Sequence, residues 1–192
     1  MSLPHLVLAS ASPRREALLR QCGVHFEVVP AGVPELEPEH LTLAELCLLN
    51  AHRKARAVAK RYPDRLVLGA DTMVGLGGRR FGKPRDPGEA RAMLTELSGR
   101  THEVITGVCL LVLRDHQERL FAETTRVTFR ALGEAEIRAY LAAVNPLDKA
   151  GAYAIQEQGD RLVADLEGSY ANVVGLPVER VLEELRRWGE FR

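Results

Sequence analysis

The chain lacks most of what marks a specialised class of protein. It has only three cysteines in 192 residues, and Cys22, Cys47 and Cys109 stand far apart with no metal-ligand spacing. That argues against a disulfide scaffold and a structural zinc site, and fits reduced, buried thiols in a cytoplasmic protein. Aromatic residues make up 5%, and Lys plus Arg equals Asp plus Glu at 26 each. The composition therefore offers neither a stacking platform for nucleic-acid bases nor an overall field that recruits nucleic acid or membrane. Any anion site must be local. No apolar run approaches the roughly 20 residues that span a bilayer. Met1 to Ser10 has no basic region followed by an apolar core, so no signal peptide is expected. Internal repeats, low-complexity segments and clear linkers are also missing. One domain over residues 1–192, long enough to bury a real core, is expected.

What is present begins with Leu66-Val67-Leu68-Gly69-Ala70-Asp71-Thr72. A short apolar run ending in a carboxylate reads as a buried strand delivering an acid to its exposed end. Open α/β sheets bind ligands at the carboxyl ends of their strands, so Asp71 is a candidate catalytic acid. A turn-capping Asp is the competing reading. Upstream, Leu6 to Ala9 reads as a first strand, followed by Ser10-Ala11-Ser12-Pro13-Arg14-Arg15 and an apolar repeat at Leu18, Leu19 and Cys22. Ser12 suits the N-cap, Pro13 the first helical position, and Gly23 the end of that helix. A helix N-terminus attracts phosphate through its free amides and dipole. Arg14 and Arg15 oppose that dipole by some tenths of a kcal/mol each. An anion held between amides and guanidinium groups would reverse the penalty. A merely solvated arginine pair is the alternative.

Phe26 to Val29 alternates like a second strand, and a proline-rich loop from Pro30 to Pro38 carries Glu35 and Glu37. A solvated acidic loop accounts for most of its acids. Thr42-Leu43-Ala44-Glu45 is a capping box opening a helix to about Arg61. Lys54 shares a face with Cys47, Ala51 and Val58, so it either snorkels outward or is aimed at a partner. Gly77-Gly78 suggests a hairpin turn, and Gly77 to Pro84 nearly matches a P-loop. Pro84 stands where the magnesium-binding hydroxyl is required, so that match fails, although Lys83 can still meet a phosphate. Asp86 opens the next helix and Gly99 ends it. Two or three β segments between Val104 and Phe129 read as structural sheet, and helices follow over 134–143 and through Val181, Leu182 and Leu185. Packing does not explain Gln156 at the end of the small-residue stretch from Ala150 to Ile155, though a turn could.

Four ordered motifs carry a resemblance: Leu8 to Arg15, Gly69-Ala70-Asp71-Thr72, Gly82-Lys83-Pro84 and Asp148-Lys149-Ala150-Gly151-Ala152-Tyr153. With Leu97-Ser98-Gly99, Thr106-Gly107 and Gly175-Leu176-Pro177, the chain resembles the Maf family, historically called septum-formation inhibitors, over essentially its whole length. The resemblance implies an elongated two-lobed mixed-sheet α/β fold like that of inosine triphosphate pyrophosphatases, with the active site in the central cleft. It implies a nucleoside triphosphate pyrophosphatase that releases a nucleoside monophosphate and diphosphate. It also implies a divalent cation, Mg2+ foremost with Mn2+ or Co2+ as substitutes, and is compatible with a homodimer. By position, Ser10, Ser12, Arg14, Arg15, Lys54 and Lys83 would hold phosphates. Glu35 and Asp71 would serve the metal and the attacking water, with Asp71 as proton acceptor. The family often has two successive acids where Pro34-Glu35 stands here, so the acidic role falls on Glu35 alone.

Within the resemblance, Arg14, Thr72 and Gln156 match the branch that acts on dTTP and UTP. The branch acting on 7-methyl-GTP tends to carry a bulky aromatic at the position of Arg14. Gln156 offers a donor and an acceptor, which complements a pyrimidine edge. The alternatives are a 7-methyl-GTP pyrophosphatase and a non-catalytic nucleotide-sensing regulator of division. An aspartyl-phosphate phosphatase would want a second acid two positions after Asp71, where Met73 stands.

Overall fold

The computed structural model of the chain describes residues 5–190. In chain order the elements are β1 (Leu6–Leu8), α1 (Pro13–Gln21), β2 (Phe26–Val28), α2 (Leu43–Ala59), β3 (Leu66–Leu76) and β4 (Arg79–Phe81). Then come α3 (Pro87–Leu97), β5 (Thr101–Val112), β6 (Gln117–Phe129), α4 (Glu134–Ala143) and a 3-10 turn at Ala150–Ala152. The chain continues with α5 (Gly159–Leu162), β7 (Val163–Glu167), α6 (Tyr170–Val174) and α7 (Val178–Glu190). The sheet is mixed and seven-stranded, in the order β2-β1-β3-β5-β6-β7 with β4 paired to β3. β1 runs parallel to β2 and β3, whereas β4 is antiparallel to β3 and β7 to β6. No helix among the described residues is long and apolar enough to cross a membrane.

The chain folds into two compact units. Among the described residues the first comprises 5–71, 106–123 and 175–190, and the second 72–105 and 124–174. Each has its own apolar core. In the first, Ala51, Ala55, Val58 and Ala59 of α2 pack on Val7, Val67, Cys109 and Leu111 of the sheet. Two glycines let the helix lie close. A Cβ on Gly69 would overlap the Ala51 carbonyl oxygen and come within 2.7 Å of the Ala55 amide, and one on Gly107 would strike the Cys47 backbone. In the second unit, Ala90, Met93, Leu94 and Leu97 of α3 and Ile137 and Tyr140 of α4 cover Val104, Val127 and Phe129.

Local chemistry explains the boundaries. The Thr42–Glu45 capping box forms as expected, and Asp86 caps α3 by accepting from the Glu89 amide at 2.8 Å. Gly77 and Gly78 both have positive φ, as a two-residue hairpin between β3 and β4 demands. This hairpin also disposes of the P-loop likeness, because its glycines lead directly into β4 and not into a helix. Of the two or three β segments expected between Val104 and Phe129, two long strands form, with Thr106 and Gly107 inside β5. Two expectations are corrected. β3 does not stop at Asp71 but runs to Leu76, because buried Met73 and Val74 continue the strand into the hairpin. Cys22 is exposed, one residue past the end of α1, while Cys47 and Cys109 are buried.

Candidate active site

Side chains alternate along a strand, so Val67, Gly69 and Asp71 share the face of β3 on which α2 lies. The parallel pairing of β1 with β3 ends at Leu8 and Leu68, and Asp71 lies three residues further on. The acid is therefore past the end of its parallel neighbour although it is not at the end of its own strand. Close approach of α2 at Gly69 brings the helix's polar side chains to this carboxylate. Lys54 Nζ donates to Asp71 Oδ1 at 2.6 Å and to Glu35 Oε1 at 2.6 Å. One turn earlier on the same helix, Asn50 Nδ2 donates to Asp71 Oδ2 at 3.4 Å.

Glu35 is fixed through its loop. Asn50 bonds the backbone of Leu36 twice, donating to its carbonyl and accepting from its amide, each at 2.9 Å. Arg53 Nη1 donates to the Pro34 carbonyl at 3.0 Å and Arg61 Nη2 to that of Pro30 at 3.2 Å. The residues on both sides of Glu35 are thus tied to α2, which separates this acid from the solvated Glu37. Asn50 was missed in the sequence. Its signal is a polar residue four positions before Lys54 on an otherwise apolar stripe.

The electrostatics grade from inside to outside. Side-chain exposure is 5% for Asp71, 13% for Lys54 and 41% for Glu35. Burial pushes the pKa of Asp71 up and Glu35 adds to this, while the charge and hydrogen bond of Lys54 and the charge of Arg15 pull it down. The balance leaves Asp71 above the usual aspartate range. A carboxylate in this position binds a proton more readily than one in water.

At the start of α1, Ser12 occupies the N-cap position without a side-chain capping bond, and its amide donates to Ser10 Oγ at 3.1 Å. Ser10 is buried, and Ser12 and Arg14 are half-buried. Arg15 Nε donates to the Gly175 carbonyl at 2.8 Å, a pairing no local pattern reveals. Burial lowers the pKa of Arg15, and Asp71 and Glu35 oppose that shift. Its guanidinium stays charged, as arginine does in proteins. The first unit therefore brings together Asp71, Lys54, Glu35 and Arg15, with Ser10, Ser12 and Arg14 at the same helix start as Arg15.

Thr72, Lys83 and Gln156 belong to the second unit. Thr72 is half-buried and follows Asp71 on the opposite face of β3. Lys83 is exposed in the loop between β4 and α3, and Gln156 is exposed in the turn over 155–158. Among the described residues no group of three or more His, Cys, Asp or Glu side chains could hold a metal ion. Two carboxylates, Asp71 and Glu35, converge on one cation, the Lys54 ammonium. Such a pair suits Mg2+, which prefers carboxylate oxygens, keeps several waters and takes its other ligands from substrate phosphates. It does not suit a metal that needs a cage of protein ligands.

Comparison with known proteins extends this picture. Residues 5–188 match the family described as Maf-like protein. The chain is 52% identical to a dTTP/UTP pyrophosphatase of Myxococcus xanthus, over 96% of this chain and 92% of the relative. It is 47% identical to one from Pelotomaculum thermopropionicum, over 97% and 98% respectively. Among solved structures, a HAM1 protein from Coxiella burnetii aligns with TM-score 0.45 at 16% identity, covering 66% of this chain and 73% of that one. The match to the family and the near full-length identity lead to one conclusion: the chain belongs to the Maf family.

Proposed function

We propose that the chain is a nucleoside triphosphate pyrophosphatase that converts dTTP and UTP to the nucleoside monophosphate and diphosphate. Modified pyrimidine nucleotides would fit the same chemistry. The observation that carries this reading is Asp71, a buried carboxylate of raised pKa bonded to Lys54 and facing Arg15. The relatives' names support the activity and the pyrimidine preference, and Arg14, Thr72 and Gln156 keep the residue pattern of that branch.

In this reading, Asp71 takes a proton from water as the water oxygen attacks the α-phosphorus. The bond from that phosphorus to the bridging oxygen breaks, and the diphosphate leaves with the bonding electron pair. Burial serves the step by raising the affinity of Asp71 for the proton. Negative charge gathering on phosphoryl oxygens is met by Arg15 and Lys54, already desolvated and in place. Ser10, Ser12 and Arg14 bind phosphate oxygens at the start of α1, and Lys83 contributes a further cation. Asp71 and Glu35 would hold the Mg2+, which when bound adds positive charge against the triphosphate. Lys54 then keeps the two acids from repelling each other.

The deciding experiment is diphosphate release with magnesium from dTTP, UTP, CTP, dATP, GTP and 7-methyl-GTP, with Asp71→Asn as control. Preference for dTTP and UTP is expected. Preference for 7-methyl-GTP would keep the enzyme and remove the role given to Arg14, Thr72 and Gln156. Binding without turnover across the panel would favour a nucleotide sensor.

A further inference from the structure

The second unit contains a buried arrangement that the proposed chemistry does not use. Residues 149–158 cross it as a strap with unusual backbone geometry. Gly151, Ala152 and Gln158 have φ of 70°, 64° and 56°, and Ala152 and Gln158 accept this left-handed region without being glycine. Such residues persist only where their surroundings hold them. A Cβ on Gly151 would meet Val74 at 3.1 Å, so the strap lies tight against β3.

The strap is pinned on both sides of Gln156. Before it, Tyr153 Oη lies 2.9 Å from Nε2 of His102, and both rings pack edge-on against Phe129 with centroids 4.8 Å and 4.7 Å away. Tyr140 Oη accepts from the Ala154 amide at 3.0 Å. After it, the buried Lys149 ammonium pairs with Glu157 Oε1 at 3.3 Å while donating to the Asn145 carbonyl at 2.7 Å. His102 is 1% exposed, and its Nδ1 has no hydrogen-bond partner among the described residues. A buried polar pair with an unsatisfied atom gives little net stability compared with an apolar pair of the same shape. Its use must lie elsewhere. A hydrogen bond is directional where apolar packing is not, so the His102–Tyr153 bond selects one placement of the strap.

We propose that His102 and Lys149 are positioning residues for base recognition. Acting through Tyr153 and Glu157, they hold the turn over 155–158 so that Gln156 meets the pyrimidine edge in one orientation. The inference rests on the reading that Gln156 contacts the base. It assigns the bonds on either side to discrimination between bases and not to cleavage.

Tyr153→Phe and Glu157→Gln test it, since the first removes the bond to His102 and the second the charge of the pair with Lys149, both at nearly constant side-chain size. The readout is the ratio of kcat/KM for UTP to that for CTP, which share a sugar and differ only at the edge a carboxamide would read. The ratio is expected to fall about tenfold in each variant, the usual size of a lost or loosened directional contact, through the KM for UTP, with kcat within about twofold of the parent. In a Gln156→Ala background neither change should lower the ratio further. A ratio unchanged by Tyr153→Phe and Glu157→Gln, but lowered by Gln156→Ala, would overturn the positioning role alone. A ratio unchanged by Gln156→Ala would overturn the base-reading role and this inference with it. A further fall in the Gln156→Ala background would also overturn it, because the pins would then be acting through something else.

Discussion

Around Asp71, four charged side chains share one place, and burial holds the acid above its usual pKa and Arg15 below its own. Around Tyr153, the titratable groups Tyr140, Tyr153 and His102 are held neutral by the same burial, and one ammonium, Lys149, has two carboxylates and a carbonyl around it. In the first arrangement burial works against the charged forms it holds, and an incoming triphosphate with its cation would change every term in it. The second is nearly complete in itself and fixes a shape. Perturbing the first should therefore change rate strongly and stability in unexpected directions. Perturbing the second should change selectivity and acid tolerance with little effect on rate at neutral pH.

The largest effect is expected from Asp71→Asn. Loss of a general base typically lowers kcat by about 10²- to 10⁴-fold, and nucleotide affinity should change far less. The same variant should melt at a higher temperature at pH 7. With its native pKa raised, Asp71 holds a proton more tightly folded than unfolded, so its charging weakens the fold as pH rises through the window between the two values. At pH 7, above the unfolded value, that penalty is present, and asparagine lacks it. Below the unfolded aspartate pKa the two proteins should melt alike. A lower melting temperature for the variant at pH 7 would mean that the Lys54 pair outweighs desolvation.

Lys54→Met comes next. It removes the ammonium that both carboxylates share and leaves Glu35 facing a buried Asp71. We expect kcat/KM to fall by about 100-fold, the scale of one lost electrostatic contact in a buried site. The acid limb of its pH profile should move upward, because the strongest influence lowering the Asp71 pKa has gone. An unmoved limb would show that the limb belongs to another group.

Gly69→Ala and Gly107→Ala separate packing from positioning. Both would drive a Cβ into the backbone of α2, so each should destabilise by about 1–3 kcal/mol. Only Gly69 shares the strand face of Asp71, under Ala51 and Ala55 and beside Lys54. Its variant should lose several-fold more kcat than the Gly107 variant at equal loss of stability. Equal losses of kcat would mean that the distance between helix and sheet at Gly69 does not set the Lys54–Asp71 contact.

How much of this is legible in the sequence follows from the range of each signal. The capping box at Thr42, the cap at Asp86, the glycine turn at Gly77-Gly78 and the stripe containing Lys54 depend on residues a few positions apart, and all form. Asp71 is legible as an acid after an apolar run, but its strand is not legible to its end. Met73 and Val74 alone cannot say whether they leave the sheet or turn back as a hairpin. The double role of Asn50 and the bond from Arg15 to Gly175 depend on partners 14 and 160 residues away. Only the fold brings these together. Arg14 and Arg15 look equivalent as neighbours in a motif, and no local signal shows that the Arg15 guanidinium reaches the Gly175 carbonyl and feels the charges of Asp71 and Glu35. The exposure of Cys22 is undecidable for a related reason, since it falls just past the last turn of α1, where the helical repeat no longer sets its direction.

The smallest effect at neutral pH, and the sharpest way to tell the two regions apart, is His102→Gln. Burial against Phe129 and Tyr153 pushes the His102 pKa down to about 4. At pH 7 the imidazole is neutral folded and mostly neutral unfolded, so the variant loses only its packing and its bond to Tyr153, and no charge. Between the unfolded value near 6.5 and the folded value, the unfolded chain takes up a proton that the folded chain refuses. The parent should therefore lose stability as pH falls through that window, by at most about 1.4 kcal/mol per pH unit for one proton. Glutamine cannot titrate, so its melting temperature should fall less steeply between pH 6.5 and 4. The chain has five other histidines, and the difference between the two proteins isolates this one. Parallel curves would mean that the folded and unfolded chains protonate His102 at the same pH, and that burial against Phe129 and Tyr153 does not exclude its charged form.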